Sequence, residues 1–164
     1  MARITPILKN VAAFLDMLAF SEGTIKYGND DGYNVIVGGS LFDDYSDHPR
    51  IKVYEKKDEF IHNNKKDYST AAGRYQLLSK YFNPYKKVLL LPDFSPVSQD
   101  KIAIQMIKEQ GALKLVIDGK IEQAIANCSN IWASLPGAGY GQHEHKLTIL
   151  LNKFVEYGGK LYGS

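Results

Sequence analysis

Near the start of the chain, apolar side chains recur at helical spacing. Leu8, Val11, Ala12, Leu15, Leu18 and Ala19 fall on one face of a predicted helix. Thr5-Pro6 reads as its N-cap and first helical residue, and Gly23 as its stop. Glu22 therefore falls where the helix ends, beside Phe20 and at the edge of the core that this face must cover. Burial disfavours the charged form of a carboxyl. A carboxyl that stays protonated near neutral pH is what a general acid needs. The plainer alternative is a solvated helix-end residue.

Beyond Glu22 the helical period disappears. Residues 27–47 are rich in Gly, Asn and Asp, with a β-prone run at Tyr33 to Val37. Gly38-Gly39 signals a turn, Leu41-Phe42 a return strand, and Ile51 to Tyr54 a second β-prone piece. These predict a small antiparallel sheet with long loops. The charged run Lys56 to Asp67 reads as a solvated loop. Helical signals then return. One short helix is expected from Gly73 to Phe82, ending before Asn83-Pro84. A second opens at Ser95-Pro96 and runs to Gln110, with Ile102, Met106 and Ile107 inward and Gly111 as its stop. Ile121, Ala124, Ile125 and Cys128 mark a third. Gln142 to Tyr157 is the last, with Leu147, Leu150, Leu151 and Phe154 inward and Gly158-Gly159 closing it. A helix, a small sheet, then a helical majority is an α+β order. No repeat or linker divides the chain, so one domain over 1–164 is expected.

Composition and charge narrow the function. A chain of 164 residues is long enough to bury a real core. A formal charge of +2 without a Lys/Arg run gives no footprint for nucleic acid. The single cysteine, Cys128, excludes an internal disulfide and a cysteine metal site, and reads as a packed residue. The first helix is interrupted by Asp16 and followed by Ser-Glu-Gly. It reads neither as a membrane span nor as a cleavable leader, so synthesis in the cytoplasm and no stable membrane insertion are expected. Gly137, Gly139 and Gly141 lack the spacing of a dinucleotide fingerprint. His143 and His145, two apart, do not share a helix face, so no metal site is expected there. Zinc peptidase and nucleophile-elbow motifs are missing from the sequence.

Five stretches carry a family resemblance. They are Ala13 to Thr24, with Ser21-Glu22-Gly23-Thr24; Gly32 to Gly39; Asp44 to Arg50; Ala72 to Ser79; and Cys128 to Gln142. In that order they resemble the lambda-type phage endolysins over roughly Phe14 to Phe154. The resemblance implies a lysozyme-like fold with a glycan-binding cleft between the helices and the small sheet. It also implies a peptidoglycan lytic transglycosylase that works without a cofactor. On that reading Glu22 is the catalytic acid and base. Asp44 to Arg50, with Tyr45 and Asp47, forms one lip of the cleft. Ser129 to Gln142, with Asn130, Trp132 and Tyr140, forms the other. Tyr75 packs beside the acid, and Gln76 bonds sugar or holds Glu22. Trp132 and Tyr140 have the flat amphipathic rings that stack on sugars, with core packing the plainer alternative for Trp132. A monomer acting on the cell wall is expected, released to it by a phage-encoded holin.

One departure from the family bears on mechanism. The lambda-type motif reads Tyr-Asp-Val where this chain has Tyr33-Asn34-Val35. An amide is neither a base nor a nucleophile, so Asn34 is left to orient sugar or loop through hydrogen bonds. Most glycosidases need a second carboxylate. Asp31, Asp44 and Asp47 are the remaining candidates, each also a natural turn-capping residue. A lytic transglycosylase needs only one, because the muramoyl C6 hydroxyl is its nucleophile. The alternatives are a hydrolytic muramidase and a glycan-binding module without catalysis.

Overall fold

The computed structural model describes residues 1–27, 30–54, 67–139 and 143–164. The expected loop at 56–67 lies outside the described residues except for Asp67. Helix α1 spans Lys9–Ser21. It begins three residues later than the Thr5-Pro6 signal suggested, with Leu8 as its N-cap. The expected one-sided burial is also corrected. Residues 13–19 are all buried, because α1 is the central helix of the molecule. It packs against α3 (Pro96–Glu109), α4 (Leu113–Ile117) and α6 (Leu147–Glu156). Gly23 ends it as expected, in the left-handed region at φ 73°. The 3-10 turn Thr24–Lys26 follows at once.

The antiparallel sheet is small, as expected, and one strand falls within the expected Ile51 to Tyr54 piece, but its partner is not the 33–42 region. Strand β1 (Val53–Tyr54) pairs with β2 (Tyr68–Ser69), Val53 opposite Ser69 and Tyr54 opposite Tyr68. The 33–42 region turns at Gly38-Gly39 and, among the described residues, makes single bridges, Val35 with Leu41 and Ile36 with Ala72. Its backbone groups bond into the 71–77 segment instead, including Val37 N to Ala71 O at 2.9 Å and Gly73 N to Val35 O at 2.8 Å.

The helix expected from Gly73 to Phe82 starts six residues later and continues past Asn83-Pro84. Residues 73–76 form a turn, and α2 runs from Ser79 to Val88 with Pro84 inside it. An internal proline removes a helix hydrogen bond. Here the helix continues because its apolar side is covered: Phe82 is fully buried with Leu77, Leu91, Phe94 and Ile102, and Tyr85 and Leu89 pack on the same cluster. Helix α3 starts at Pro96 as predicted and ends at Glu109. Helix α5 (Ile121–Cys128) buries the four predicted residues. Helix α6 starts at Leu147 rather than Gln142, and residues 143–146 before it are not helical. The short α4 carried no signal of its own. Burial pushes the Cys128 thiol up to about 12, as suits a packing residue.

A buried polar cluster joins these parts. Arg74 is 2% exposed and pairs with Asp16 of α1, Nη2 to Oδ1 at 2.9 Å. Its Nη1 donates to the Tyr75 hydroxyl at 3.1 Å and its Nε to the Asp31 carbonyl at 2.8 Å. The Tyr75 and Tyr33 hydroxyls both donate to Asp100 Oδ1, at 2.6 and 2.8 Å. The backbone N–H groups of Arg3 and Ile4 donate to Asp100 Oδ2, and that of Ala2 to Asp16. At Gly73, φ is 82°, and the Gln99 side chain occupies the place a Cβ would need. Gln99 Oε1 accepts from Arg74 N at 2.9 Å.

Helix α2 ends in a Schellman arrangement, with Leu91 N bonded to Lys86 O at 2.9 Å and Leu90 N to Lys87 O at 3.4 Å. The C′ residue is Leu90, at φ 52° and 88% exposed. A leucine there carries left-handed strain and gains no burial. Leu90→Gly should therefore stabilise the protein by about 0.5–1 kcal/mol, net of glycine's greater unfolded-state entropy. Urea denaturation measures this, and an unchanged or lower midpoint contradicts it.

Candidate active site

Glu22 caps the C-terminus of α1, its N–H bonded to Leu18 O at 2.8 Å. The left-handed Gly23 turns the chain away immediately, so Glu22 is left at the mouth of a cleft rather than on a helix flank. The cleft has a volume of ≈ 480 Å³. One side comes from Phe20, Ser21, Ile25 and Lys26; the other from Ser134, His143 and His145. Among the described residues lining it, Glu22 is the one carboxylate.

The carboxyl meets few polar groups. Ser134 Oγ donates to Glu22 Oε1 at 3.1 Å, and the Ser21 hydroxyl lies 2.8 Å from Ser134 Oγ. Burial pushes the Glu22 carboxyl from the ordinary 4.5 up to about 7, and the Ser134 hydrogen bond opposes only part of that rise. His145 is tied to the same corner. Its Nε2 bonds Ser21 O at 3.1 Å, its N–H donates to Ser134 O at 3.0 Å, and its ring lies 5.3 Å from that of Phe20. Burial lowers its pKa, which favours the neutral imidazole.

The other candidates are placed differently from one another. Tyr75, Gln76, Asn130 and Trp132 line a second hollow of ≈ 340 Å³, with Tyr81 and Tyr85. Trp132-Ala133-Ser134 runs along the chain from this hollow to the Glu22 cleft. Three expected placements differ here. Trp132 is 2% exposed and donates its Nε1–H to Tyr75 O at 3.0 Å, so it offers little ring face for stacking. Tyr75 is buried with its hydroxyl on Asp100, facing the polar cluster rather than Glu22. Gln76 also does not hold Glu22. It sits at φ 54°, and its amide donates to Gly73 O at 2.9 Å and Val35 O at 3.3 Å. Asn130 donates to Gln110 Oε1 at 2.8 Å. Tyr140 lies outside the described residues.

The Asp44 to Arg50 segment is locked by its own contacts. Asp47 accepts from His48 N at 2.8 Å and pairs with Arg50, which holds its carboxyl below the ordinary range. Arg50 also donates to Asn83 at 2.7 Å. Tyr45 gives its hydroxyl to Asp30. Neither Tyr45 nor Asp47 lines the Glu22 cleft. Asp31 bonds the backbone amine of Met1, and Asp44 caps Ser46 N. Asn34 does not line the cleft either; its Oδ1 is buried without a hydrogen-bond partner among the described residues. The sequence reading missed Ser21, Lys26, Ser134, His143 and His145 as a group. Ser21 and Ser134 stood inside the quoted motifs, but nothing local said that they meet.

A central buried helix ending in one cleft-facing carboxyl, a helical majority and a two-stranded sheet define a lysozyme-like α+β protein. A solved structure of bacteriophage lambda lysozyme in complex with a chitohexasaccharide superposes with a TM-score of 0.86 at 55% identity, covering 96% of this chain and 99% of that one. A second lambda lysozyme structure gives a TM-score of 0.82 at the same coverage. The endolysin of Escherichia phage lambda is 58% identical over 150 residues, 90% of each chain, and that of Escherichia phage P2 is 51% identical over 158 residues, 92% of this chain and 94% of that one. The endolysin family model matches residues 12–161, and the chain belongs to that family.

The Glu22 environment has a pH consequence. Its folded value, about 7, lies above the ordinary 4.5 of an unfolded chain. The native state therefore keeps a proton that the unfolded state has lost. Stability falls as pH rises from about 4.5 to 7, and the cost is complete above that. Glu22→Gln removes the cost. Its advantage over the wild type should grow from pH 5 to pH 8 by about 1–3 kcal/mol. Guanidinium unfolding at both pH values measures it. A difference independent of pH would show an unperturbed carboxyl.

Proposed function

We propose that this chain is a peptidoglycan lytic transglycosylase that lyses the host of a phage. The observation carrying this is that Glu22, its pKa pushed up to about 7 by burial, is the one carboxyl among the described residues lining its cleft, with Asp31, Asp44 and Asp47 engaged elsewhere. Protonated Glu22 gives its proton to the oxygen of the β-1,4 bond between N-acetylmuramic acid and N-acetylglucosamine, and the C1–O bond breaks. The C6 hydroxyl of the same muramoyl ring then bonds to C1. Glu22, now a carboxylate, takes the proton of that hydroxyl. A 1,6-anhydro ring forms, the acid is regenerated and no water is consumed. An intramolecular nucleophile has the advantage of proximity over water. The chitohexasaccharide bound by the lambda lysozyme supports a glycan occupant for this groove. Synthesis in the host cytoplasm as a monomer, and access to the wall once a holin has breached the membrane, complete the reading.

Glu22→Gln keeps the shape and removes the proton. Clearing of purified cell walls should fall by at least ~10²-fold in a folded variant. Digestion in ¹⁸O-labelled water should give unlabelled muropeptides ending in 1,6-anhydro-muramic acid. Label at a new reducing end would establish the hydrolytic muramidase instead. A wall-binding protein with no activity in a zymogram would establish the non-catalytic module.

Asn34→Asp separates the two catalytic readings in the other direction. The Asn34 Oδ1 position is buried and offers no donor among the described residues, so a carboxylate there would be costly to ionise. The substitution should leave the product unchanged, alter the rate by less than about tenfold and lower stability. A large gain in rate with a hydrolytic product would point to a second carboxylate in the mechanism.

A further inference from the structure

The Glu22 carboxyl has two oxygens with different surroundings. Oε1 accepts from the Ser134 hydroxyl. Among the described residues, Oε2 takes no hydrogen bond. We infer that Ser134 is a positioning residue for Glu22: by holding Oε1 it confines the acid's proton to Oε2, the oxygen left for the glycosidic bond. This rests on the acid role proposed above.

The argument is one of donors and acceptors. Each serine hydroxyl carries one proton. When Glu22 is ionised it only accepts, so Ser134 donates to Oε1. The Ser21 hydroxyl, 2.8 Å from Ser134 Oγ, then donates to Ser134. The hydrogen bonds run one way, from Ser21 through Ser134 to Glu22. If that direction is kept when Glu22 is protonated, the acid proton must sit on Oε2. Both serines are fixed from their backbones. The end of α1 carries Ser21, and His145 bonds the carbonyls of both Ser21 and Ser134. The carboxyl therefore meets a hydroxyl held on the protein frame, and it presents the same oxygen before and after proton transfer. Preorganised donors of this kind act without reorganisation at the moment of reaction.

The same geometry separates Ser134 from a residue that only fills space. Its hydrogen bond favours the carboxylate, so removing it should push the Glu22 pKa further in the direction burial already drives it. Among the described residues, the other charged or titratable groups facing the cleft are Lys26 from the 3-10 turn and His143 and His145 from the segment before α6, with Lys153 of α6 over the Phe20 ring. A signal specific to Glu22 is needed to tell its titration from theirs.

The test is a carbon-13 titration of the Glu22 carboxyl, assigned by its loss in Glu22→Gln, together with the pH profile of wall clearing. In Ser134→Ala the Glu22 midpoint and the alkaline limb of activity should both rise by about one pH unit. The rate at pH 6 should fall about tenfold or more. Ser134→Thr, which keeps the hydroxyl, should restore both. Ser21→Ala removes the donor behind Ser134 and should move the midpoint the same way by less. It also gives the answer if Ser134→Ala fails to fold. A midpoint and profile unchanged in Ser134→Ala, with Glu22→Gln inactive, would overturn the role of Ser134 and leave the acid role standing. Full activity of Glu22→Gln, with a midpoint still dependent on Ser134, would overturn the acid role and not the hold on the carboxyl.

Discussion

The pairing of Arg74 with Asp16 inside the molecule is the interaction on which the rest depends. Taking two charges out of water is costly, and the mutual attraction offsets this only when the remaining hydrogen-bonding capacity is used. Here it is used. Arg74 reaches a carboxylate, a hydroxyl and a carbonyl, and Asp100 takes two tyrosine hydroxyls and two backbone N–H groups. Those partners come from residues 3–4, α1, the 31–33 segment and the 73–76 turn, with Asp100 itself on α3. The pair therefore acts less as a source of net stability than as a registry device. It admits one mutual placement of α1, the 73–76 turn, α3 and residues 2–4.

That registry reaches the cleft by two short routes. Thr24, two residues after Glu22, donates its hydroxyl to Arg74 O at 2.8 Å. Tyr75 O accepts the Trp132 indole, and Trp132 stands two residues before Ser134. The carboxyl and its serine partner are thus both referenced to the same buried turn. A site held to within a fraction of an ångström needs such support behind it. It also explains why Tyr75 and Trp132 are buried. Their polar ends are spent on carrying position, and their rings on excluding water.

The sequence revealed those features whose cause is local. The end of α1, the turn at Gly23, the Ser95-Pro96 start of α3 and the inward face of α5 follow from spacing and from the conformational preferences of a few residues. Glu22 was legible for the same reason. Where the cause was distant the reading failed. Arginine is rarely buried, and Arg74 became so through Asp16, far earlier in the chain. Pro84 argued for a helix end, but Phe82 and Tyr85 on the covered side decided otherwise. The sequence offers Trp132 as a sugar platform and Tyr75 as a neighbour of the acid, because aromatic composition does not say which way a ring faces. Ser134 meets Glu22 across 112 residues, and no periodicity reports a contact of that kind.

The raised pKa of Glu22 is also a matter of timing during synthesis. Helix α1 is made early, but much of its surface waits for α6, and the residues that close over Glu22 are Ser134, His143 and His145. Until those segments emerge from the ribosome, Glu22 is an exposed glutamate with ordinary acidity. Non-local contacts of this sort form late, after the intervening chain has been ordered. The acid is therefore not encoded by its own helix. Its raised pKa comes into being only when the last third of the chain docks, so a truncated or half-folded molecule carries the glutamate without that shift.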